Sequence, residues 1–192
     1  TRGPLFTLGT IAVVPAPNAS AAALGALSPK ALGLKPGAPA RSSDVIAADA
    51  PIVSTLREAG YPLATVTGRE AIADHATAKL DVTFKVDPGP QARMGDATVK
   101  GTERMDPAFV AGLAPFAPGD PFRTSSLKDF TEEIERLQVF DAVAVEDAKA
   151  LTPDQRSPVT LTVHERPLRI IGVSASWSTL EGAAVGAYWG HR

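Results

Sequence analysis

The run Met94-Gly95-Asp96-Ala97-Thr98-Val99 opens a stretch, Ala92 to Pro167, whose order of segments occurs twice in the chain. After it come a turn at residues 118–121, an amphipathic run from Ser125 to Phe140, and the alternating runs Ala142–Val145 and Val159–Val163. An internal repeat indicates how many structural units the chain contains.

Three matches carry the repeat. Leu8-Gly9 corresponds to Met94-Gly95, and the turn at residues 36–41 corresponds to residues 118–123. The alternating run Val82–Val86, followed by a proline, corresponds to Val159–Val163, also followed by a proline. The chain is therefore predicted to fold as two tandem units of about 75–90 residues, each in the order strand–helix–helix–strand–strand.

The composition fits two small globular cores. Of 192 residues, 44% are hydrophobic and 21% are charged, and the net charge of −2 without a basic block argues against nucleic-acid binding. The chain has no cysteine, which excludes disulfides and thiolate metal sites. It has no run of about 18 apolar residues that would form a membrane-spanning helix. Since it opens on Thr1-Arg2-Gly3 without methionine or a signal peptide, we interpret it as a piece of a longer, processed protein.

In the first unit, residues 5–14 predict a strand and residues 19–27 a short helix capped by Asn18 or Ser20. A second helix is expected over residues 42–59 and is ended by Gly60; Pro51 either kinks this helix, which we favour, or marks its start. Two strands, residues 61–67 and 79–86, should follow, with residues 68–78 as the loop between them. The period of two in these strands predicts a half-buried antiparallel sheet. The proline-rich linker at residues 87–90 predicts a joint that moves within a limited arc.

In the second unit, Asp106-Pro107 predicts the start of a short helix. The next helix carries its apolar residues at steps of three and four, which predicts a core-facing stripe. The members of this stripe are Leu127, Phe130, Ile134 and Leu137. Gln138 stands where the first unit has Gly60.

This order resembles the POTRA (polypeptide-transport-associated) domain, and the segments Leu56–Pro62 and Pro158–Arg166 resemble its helix exit and last strand. Residues 169–177, a turn at 178–182 and residues 183–192 resemble the first hairpin of an outer-membrane β-barrel. The chain is similar to the BamA/TamA superfamily of outer-membrane assembly factors, and closer to its TamA branch. The resemblance implies an α+β fold with POTRA domains at 1–90 and 91–168, and a truncated barrel start at 169–192.

The hairpin segments alternate apolar residues with small or polar ones over about ten residues, as membrane β-strands do. Without the resemblance, a soluble edge hairpin would fit the pattern equally well. Because an isolated hairpin exposes unpaired edges and apolar side chains, we expect it to be disordered, or to pair with a neighbouring molecule or a domain edge.

Nothing in the sequence has the pattern of an active site. His75, His164 and His191 are isolated, and no phosphate-binding loop, nucleophile elbow or metal-ligand spacing occurs. Glu132, Glu133 and Glu135 form a charged helix face. The prediction is a protein that is not an enzyme, with no catalytic residues, metal or cofactor.

The resemblance implies binding by strand addition at the edge of each sheet, where an extended peptide pairs with free backbone groups. In this family that edge is strand 2 of each domain, here residues 61–67 and 140–145. The predicted partner-binding residues are Tyr61, Val66, Phe140, Val143 and Val145. The alternative for each valine is that it merely faces the core.

The expected function is that of the periplasmic POTRA region of an outer-membrane protein assembly or translocation factor. Expected partners are nascent outer-membrane or autotransporter proteins, a TamB-like inner-membrane partner, and the outer membrane itself. The alternative within transport is the POTRA region of a two-partner secretion transporter. An enzyme or ligand-binding domain would need a deep polar pocket with convergent titratable groups, which the sequence does not indicate.

Overall fold

The computed structural model describes residues 5–17, 19, 21–27, 32–167, 169–178 and 182–191. The first unit contains β1 (Thr7–Pro15), a 3-10 helix (Ala21–Ala26), α1 (Ser42–Ala47), α2 (Asp49–Glu58), β2 (Thr65–Asp74) and β3 (Lys79–Asp87). The second contains β4 (Arg93–Lys100), α3 (Pro107–Ala111), α4 (Thr124–Arg136), β5 (Phe140–Asp147) and β6 (Arg156–Glu165). A hairpin of β7 (Arg169–Ser178) and β8 (Gly182–His191) follows. In the described part of the chain, none of the helices has both the length and the apolar character needed to cross a membrane.

Each unit is a three-stranded sheet whose last strand lies in the middle. The strand orders are β1-β3-β2 and β4-β6-β5, which confirms the α+β class and the repeated order of elements. The central strand pairs antiparallel with the strand before it and parallel with the first strand. The predicted antiparallel pairing is confirmed for the last two strands of each unit, whereas the first strand runs parallel to the central one. The helices between the first two strands form the crossover that a parallel pair requires.

A glycine allows the first strand of each unit to approach its neighbour closely. The pairing register shifts at a bulge between Leu8 and Ile11 and at another between Met94 and Ala97. A Cβ atom added to Gly95 would lie 2.7 Å from the carbonyl oxygen of Ser157 and 2.8 Å from the nitrogen of Pro158. Since both are backbone atoms, the sheet cannot yield by moving a side chain.

The helices of the first unit differ from the prediction. Instead of one helix kinked at Pro51, the chain forms α1 and α2 with a break at Ala48. Pro51 lies in the first turn of α2, where backbone N–H groups have no intrahelical partner and a proline loses nothing. The segment predicted as a helix over residues 19–27 is a 3-10 helix at Ala21–Ala26. Its predicted caps, Asn18 and Ser20, lie outside the described residues.

The helix ends confirm the correspondence between Gly60 and Gln138. Both residues have positive φ, 101° and 54°, directly after the C-cap residue of their helix. Gly60 N–H donates to the carbonyl of Arg57 at 3.2 Å, and Tyr61 N–H donates to that of Leu56 at 3.0 Å. This pair of bonds closes the last turn of α2 as a Schellman motif.

The helices cover one face of each sheet and form the cores there. In the first unit, Ile52 and Leu56 of α2 are fully buried together with Val82, Phe84 and Val86 of β3. In the second unit, Leu127, Phe130 and Ile134 of α4 are buried and Leu137 is partly buried, which confirms the predicted stripe. The short helix α3 begins at Pro107, as Asp106-Pro107 predicted, and Asp106 caps it by accepting the N–H of Ala108 at 2.9 Å.

The strand predicted at residues 61–67 is misplaced. β2 begins at Thr65 and continues to Asp74, so most of the predicted loop at 68–78 is strand, and His75 lies in the turn that follows. The sequence Arg69-Glu70-Ala71 lacks an apolar alternation because β2 is an edge strand with most of its residues exposed. A strand with so little burial leaves no periodic signal.

The terminal hairpin is formed, in contrast to the expectation of disorder or pairing elsewhere. β7 and β8 pair with each other along their whole length, from Arg169–His191 to Ser178–Gly182. The register puts the predicted apolar residues of both strands on one face, and the large ones there are strongly exposed: Ile171, Val173, Trp177, Val185 and Trp189. On the other face, the Tyr188 ring lies over Gly172, at the place a Cβ atom would need.

The Glu165 carboxylate at the end of β6 holds the loop between β4 and α3. It accepts the backbone N–H groups of Glu103, Arg104 and Met105 at 2.8, 2.9 and 3.0 Å, and the Arg104 Nε–H at 2.8 Å. These bonds, the backbone bond from Met105 first, lower the pKa of Glu165 from 4.5 to about 2.

Replacing Gly95 with alanine should lower the free energy of unfolding by about 1–3 kcal/mol, because the new methyl group meets backbone atoms. Urea unfolding followed by circular dichroism measures this. Gly25→Ala is the control, since nothing lies within 4 Å of its added Cβ, and it should not destabilise the protein. Equal stability of the two variants would contradict the close approach at Gly95.

The Glu165 carboxylate predicts an acid-sensitive contribution to stability. Because its folded pKa is lowered from 4.5 to about 2, the contribution is full above about pH 4.5 and is lost as the pH falls through about 2. Melting temperatures between pH 5 and about 2 should therefore fall more steeply for the natural protein than for Glu165→Gln. Parallel curves for the two proteins would rule out this contribution.

Candidate functional site

The candidate site is the pair of free sheet edges formed by β2 and β5. In each unit this strand has the central strand on one side and no strand on the other among the described residues. Most side chains of β2 and half of those of β5 are exposed. The edges predicted for partner binding are thus open backbone edges, a geometry that invites pairing with another chain.

The hydrogen bonding of β5 shows which of its backbone groups are free. Ala148 N–H donates to the carbonyl of Pro158 at 2.9 Å, so residue 148 faces β6. Residues of an antiparallel pair alternately face the partner strand and turn away from it. Val143, Val145 and Asp147 therefore turn their N–H and C=O groups toward the open edge.

The same reasoning applies to Val66 in the first unit. The Val86 carbonyl accepts the N–H of Ala16 at 2.8 Å and so points toward β1. Val66 is paired with Val86, and its backbone groups consequently turn to the open edge of β2. The predicted valines Val66, Val143 and Val145 thus all turn their backbone groups toward an open edge.

The side chains of these valines lie on the helix-covered face. Val143 packs against the cluster that contains Phe130 and Ile134, and Val145 also packs against the cluster that contains Leu127. Both are half-buried. The two interpretations of the valines are therefore compatible, since the side chain contributes to the core while the backbone faces the edge.

Tyr61 and Phe140 are placed differently from the other predicted site residues. Tyr61 lies in the turn before β2 begins and packs against the first core. Phe140 is the first residue of β5, but its side chain is only 4% exposed and belongs to the second core. Neither side chain lies on an open edge, because the chain uses both large aromatic groups to fill space under the helices.

The two units are joined by contacts from the end of α2. Arg57 donates to the Asp147 carboxylate at the end of β5, at 2.5 Å, with side chains 29% and 14% exposed. The next residue, Glu58, accepts the backbone N–H and the hydroxyl of Ser125 at 2.9 and 2.7 Å. Two consecutive residues of α2 thus contact two elements of the second unit, the end of β5 and the start of α4.

The Glu58 carboxylate caps α4 from the other unit. Arg123, the N-cap residue of α4, makes no side-chain capping bond, and Glu58 supplies the missing acceptor at Ser125. Burial raises the pKa of Glu58, but the hydrogen bonds from Ser125 and the charge of Arg123 outweigh it, so the pKa is lowered. The carboxylate is thus held charged against the positive end of the helix.

A cleft of about 660 Å³ lies between the units, beside the Arg57–Asp147 pair. Its lining includes Pro62 and Thr65 from the first unit and Val145 and Glu146 from the second. The linker prediction missed these contacts, because Arg57, Glu58, Ser125 and Asp147 come together only in the folded chain. The C-terminal end of the β5 edge therefore opens into a groove shared by both units.

A double-mutant cycle on Arg57→Ala and Asp147→Ala should give a coupling free energy of about 0.5–1.5 kcal/mol, since the pair is partly buried. Urea unfolding followed by circular dichroism supplies the four free energies. The control cycle is Lys128 with Glu132, an exposed pair on one helix, for which about 0.3–0.5 kcal/mol is expected. A coupling at Arg57–Asp147 no larger than this would contradict the joint.

No family model and no curated protein sequence matches the chain. Solved structures do. BamA from Haemophilus ducreyi lacking POTRA domains 1–3 matches with a TM-score of 0.69 and 17% identity, over 95% of this chain and 34% of that one. POTRA3–5 of Haemophilus influenzae BamA matches with a TM-score of 0.62 and 20% identity, over 83% and 61%.

POTRA1–2 of the periplasmic domain of Omp85 from Anabaena matches with a TM-score of 0.53 and 16% identity, over 85% of this chain and 98% of that one. This chain spans 34% of the length of the Haemophilus ducreyi structure. At such low identities the agreement concerns the fold, and it confirms the resemblance to POTRA domains. The chain has the POTRA fold, built twice in tandem and followed by a β-hairpin.

Proposed function

We propose that the chain is the periplasmic POTRA region of an outer-membrane protein assembly or translocation factor that binds client proteins by strand addition. The observation that carries this proposal is the open edge of β5, where Val143 and Val145 turn unpaired backbone groups outward. An extended client segment can pair with these groups whatever its side chains are. A module that reads backbone conformation suits many different unfolded clients.

The hairpin supports a position at the outer membrane. Its apolar face exposes Ile171, Val173, Trp177 and Val185 to more than 70%, and the opposite face carries mostly small and polar residues beside Tyr188. This alternation is what a strand between lipid and a polar interior needs. We therefore place the POTRA domains, residues 1–90 and 91–168, on the periplasmic side, with residues 169–192 entering the membrane.

The proposed partners follow from this position. They are nascent outer-membrane or autotransporter proteins and, if the chain belongs to the TamA branch, a TamB-like inner-membrane protein. The TamA branch is proposed on the sequence of the turn at 178–182 and on the ending Trp189-Gly190-His191-Arg192. The function is that of a binding scaffold and not of an enzyme. The solved structures that share its fold are those of BamA and of the periplasmic domain of Omp85.

Replacing Val145 with proline should abolish the binding of an extended peptide and leave the fold intact. Its N–H group faces the open edge, so proline removes a donor that only an added strand uses. Titration of the isotope-labelled protein with a β-strand peptide, followed by backbone chemical shifts, measures binding. In the natural protein the shifts should cluster on β5.

Val145→Ala is the matched control, because it shortens the side chain and keeps the backbone donor. We expect it to retain most of the binding. Equal binding by the proline and alanine variants would contradict strand addition at β5, and an absence of shifts in the natural protein would exclude client binding by these two units.

A further inference from the structure

Arg69 of β2 and Val145 of β5 hold the same place in the two sheets. Arg69 is paired with Phe84 and Val145 with Leu161, which are matching buried residues of the two central strands. Both side chains therefore point to the helix-covered face, next to the open edge. The two units differ in chemistry at this place, since one has a guanidinium group where the other has an isopropyl group.

Asp49 of α2 and Leu127 of α4 also hold the same place. Each stands equally far along its helix from the left-handed residue that ends it, Gly60 or Gln138. Leu127 is 7% exposed and belongs to the cluster against which Val145 packs. The second unit therefore has an apolar strip between helix and edge strand, made by Leu127 and Val145.

In the first unit an ion pair replaces this apolar strip. Arg69 Nη1 lies 3.5 Å from Asp49 Oδ2, which joins edge strand and helix across the groove between them. The other oxygen of Asp49 is buried and has no hydrogen-bond partner among the described residues. Both side chains keep about a third of their surface in water, 36% and 32%.

An added strand would change the surroundings of this ion pair. Alternate side chains of an added strand point to the helix-covered face and would lie beside residue 69 or residue 145. At residue 145 an apolar side chain meets Leu127 and gains burial. At residue 69 an apolar side chain would remove water from the Arg69–Asp49 pair. The cost of this desolvation exceeds the gain in attraction between the two charges. Inward-pointing charges of this kind protect natural edge strands from pairing.

We propose that client strands add to the second unit only, at β5, and that the Arg69–Asp49 ion pair closes the equivalent edge of the first unit. This inference rests on the proposed strand addition and states which edge strand receives the client. The client it fits is an extended segment with an apolar side chain at every second position. The sequence of β7, residues 169–178, is a segment of this class.

The absence of cysteine from the chain makes a site-specific test direct. Glu70→Cys on β2 and Ala144→Cys on β5, prepared separately, place a bimane dye on the exposed face of each edge strand. The probe is a synthetic peptide of residues 169–178 with lysines added at both ends for solubility. Its tryptophan quenches bimane at contact distance, so quenching reports which edge the peptide joins.

We expect quenching of the dye on β5 and an affinity at β2 that is at least about tenfold weaker. The double variant D49L/R69V copies the apolar pair of the second unit and should bring quenching at β2 to the level of β5. Replacing both residues together avoids leaving one charge buried without its partner. The variant D49A/R69A serves the same purpose if the first variant does not fold.

The possible failures are distinguishable. Equal quenching at β2 and β5 in the otherwise natural chain would overturn the assignment to the second unit and leave strand addition intact. Unchanged quenching at β2 in folded double variants would show that the ion pair does not close that edge. No quenching at either position would overturn strand addition itself, and the assignment with it.

Discussion

Each unit depends on its last strand taking the middle of the sheet. β3 and β6 bond to a neighbour on both sides, and they carry the fully buried residues against which the helices pack. In the second unit the first strand lies close to the central one at Gly95, where an added Cβ atom would meet backbone atoms, and in the first unit Gly9 lies against the Asp81 side chain. The strands that precede the central ones, β2 and β5, therefore lie at the edge of each sheet. The open edge is thus a consequence of the topology.

The contacts at the end of α2 connect this edge to the arrangement of the two units. Arg57 binds Asp147, the last residue of β5, and Glu58 caps α4. The strand proposed to receive clients and the helix beside it are thus both contacted by the other unit. The end of β5 therefore lies beside the cleft that both units line.

Much of the fold could be predicted because the same order of helices and strands occurs twice in the chain. The second unit carries a clear helical stripe, a start signal for a short helix at Asp106-Pro107 and an alternating last strand, and all three are confirmed. The errors in helix and strand bounds lie in the first unit, where apolar periodicity is weak. β2 extends through Arg69 and Glu70, which an edge strand tolerates, and α1 and α2 are separated at Ala48, where no turn residue marks the break. The valines proposed for partner binding come from the resemblance, whereas Phe140 is a core residue and Tyr61 packs against the first core, which strand periodicity could not separate from edge positions.

By itself the sequence determined the repeated order of elements, the α+β class, the buried stripes and the two-faced hairpin, since these follow from local preference and from the period of apolar residues. Only the tertiary structure decided that the first and last strands of each unit run parallel, which backbone groups of β5 are free, and how the units meet. The Arg57–Asp147, Glu58–Ser125 and Arg69–Asp49 contacts join residues that are distant along the chain. The sequence does not show whether a charged residue is solvated or paired, because its partner is brought close only when the chain folds.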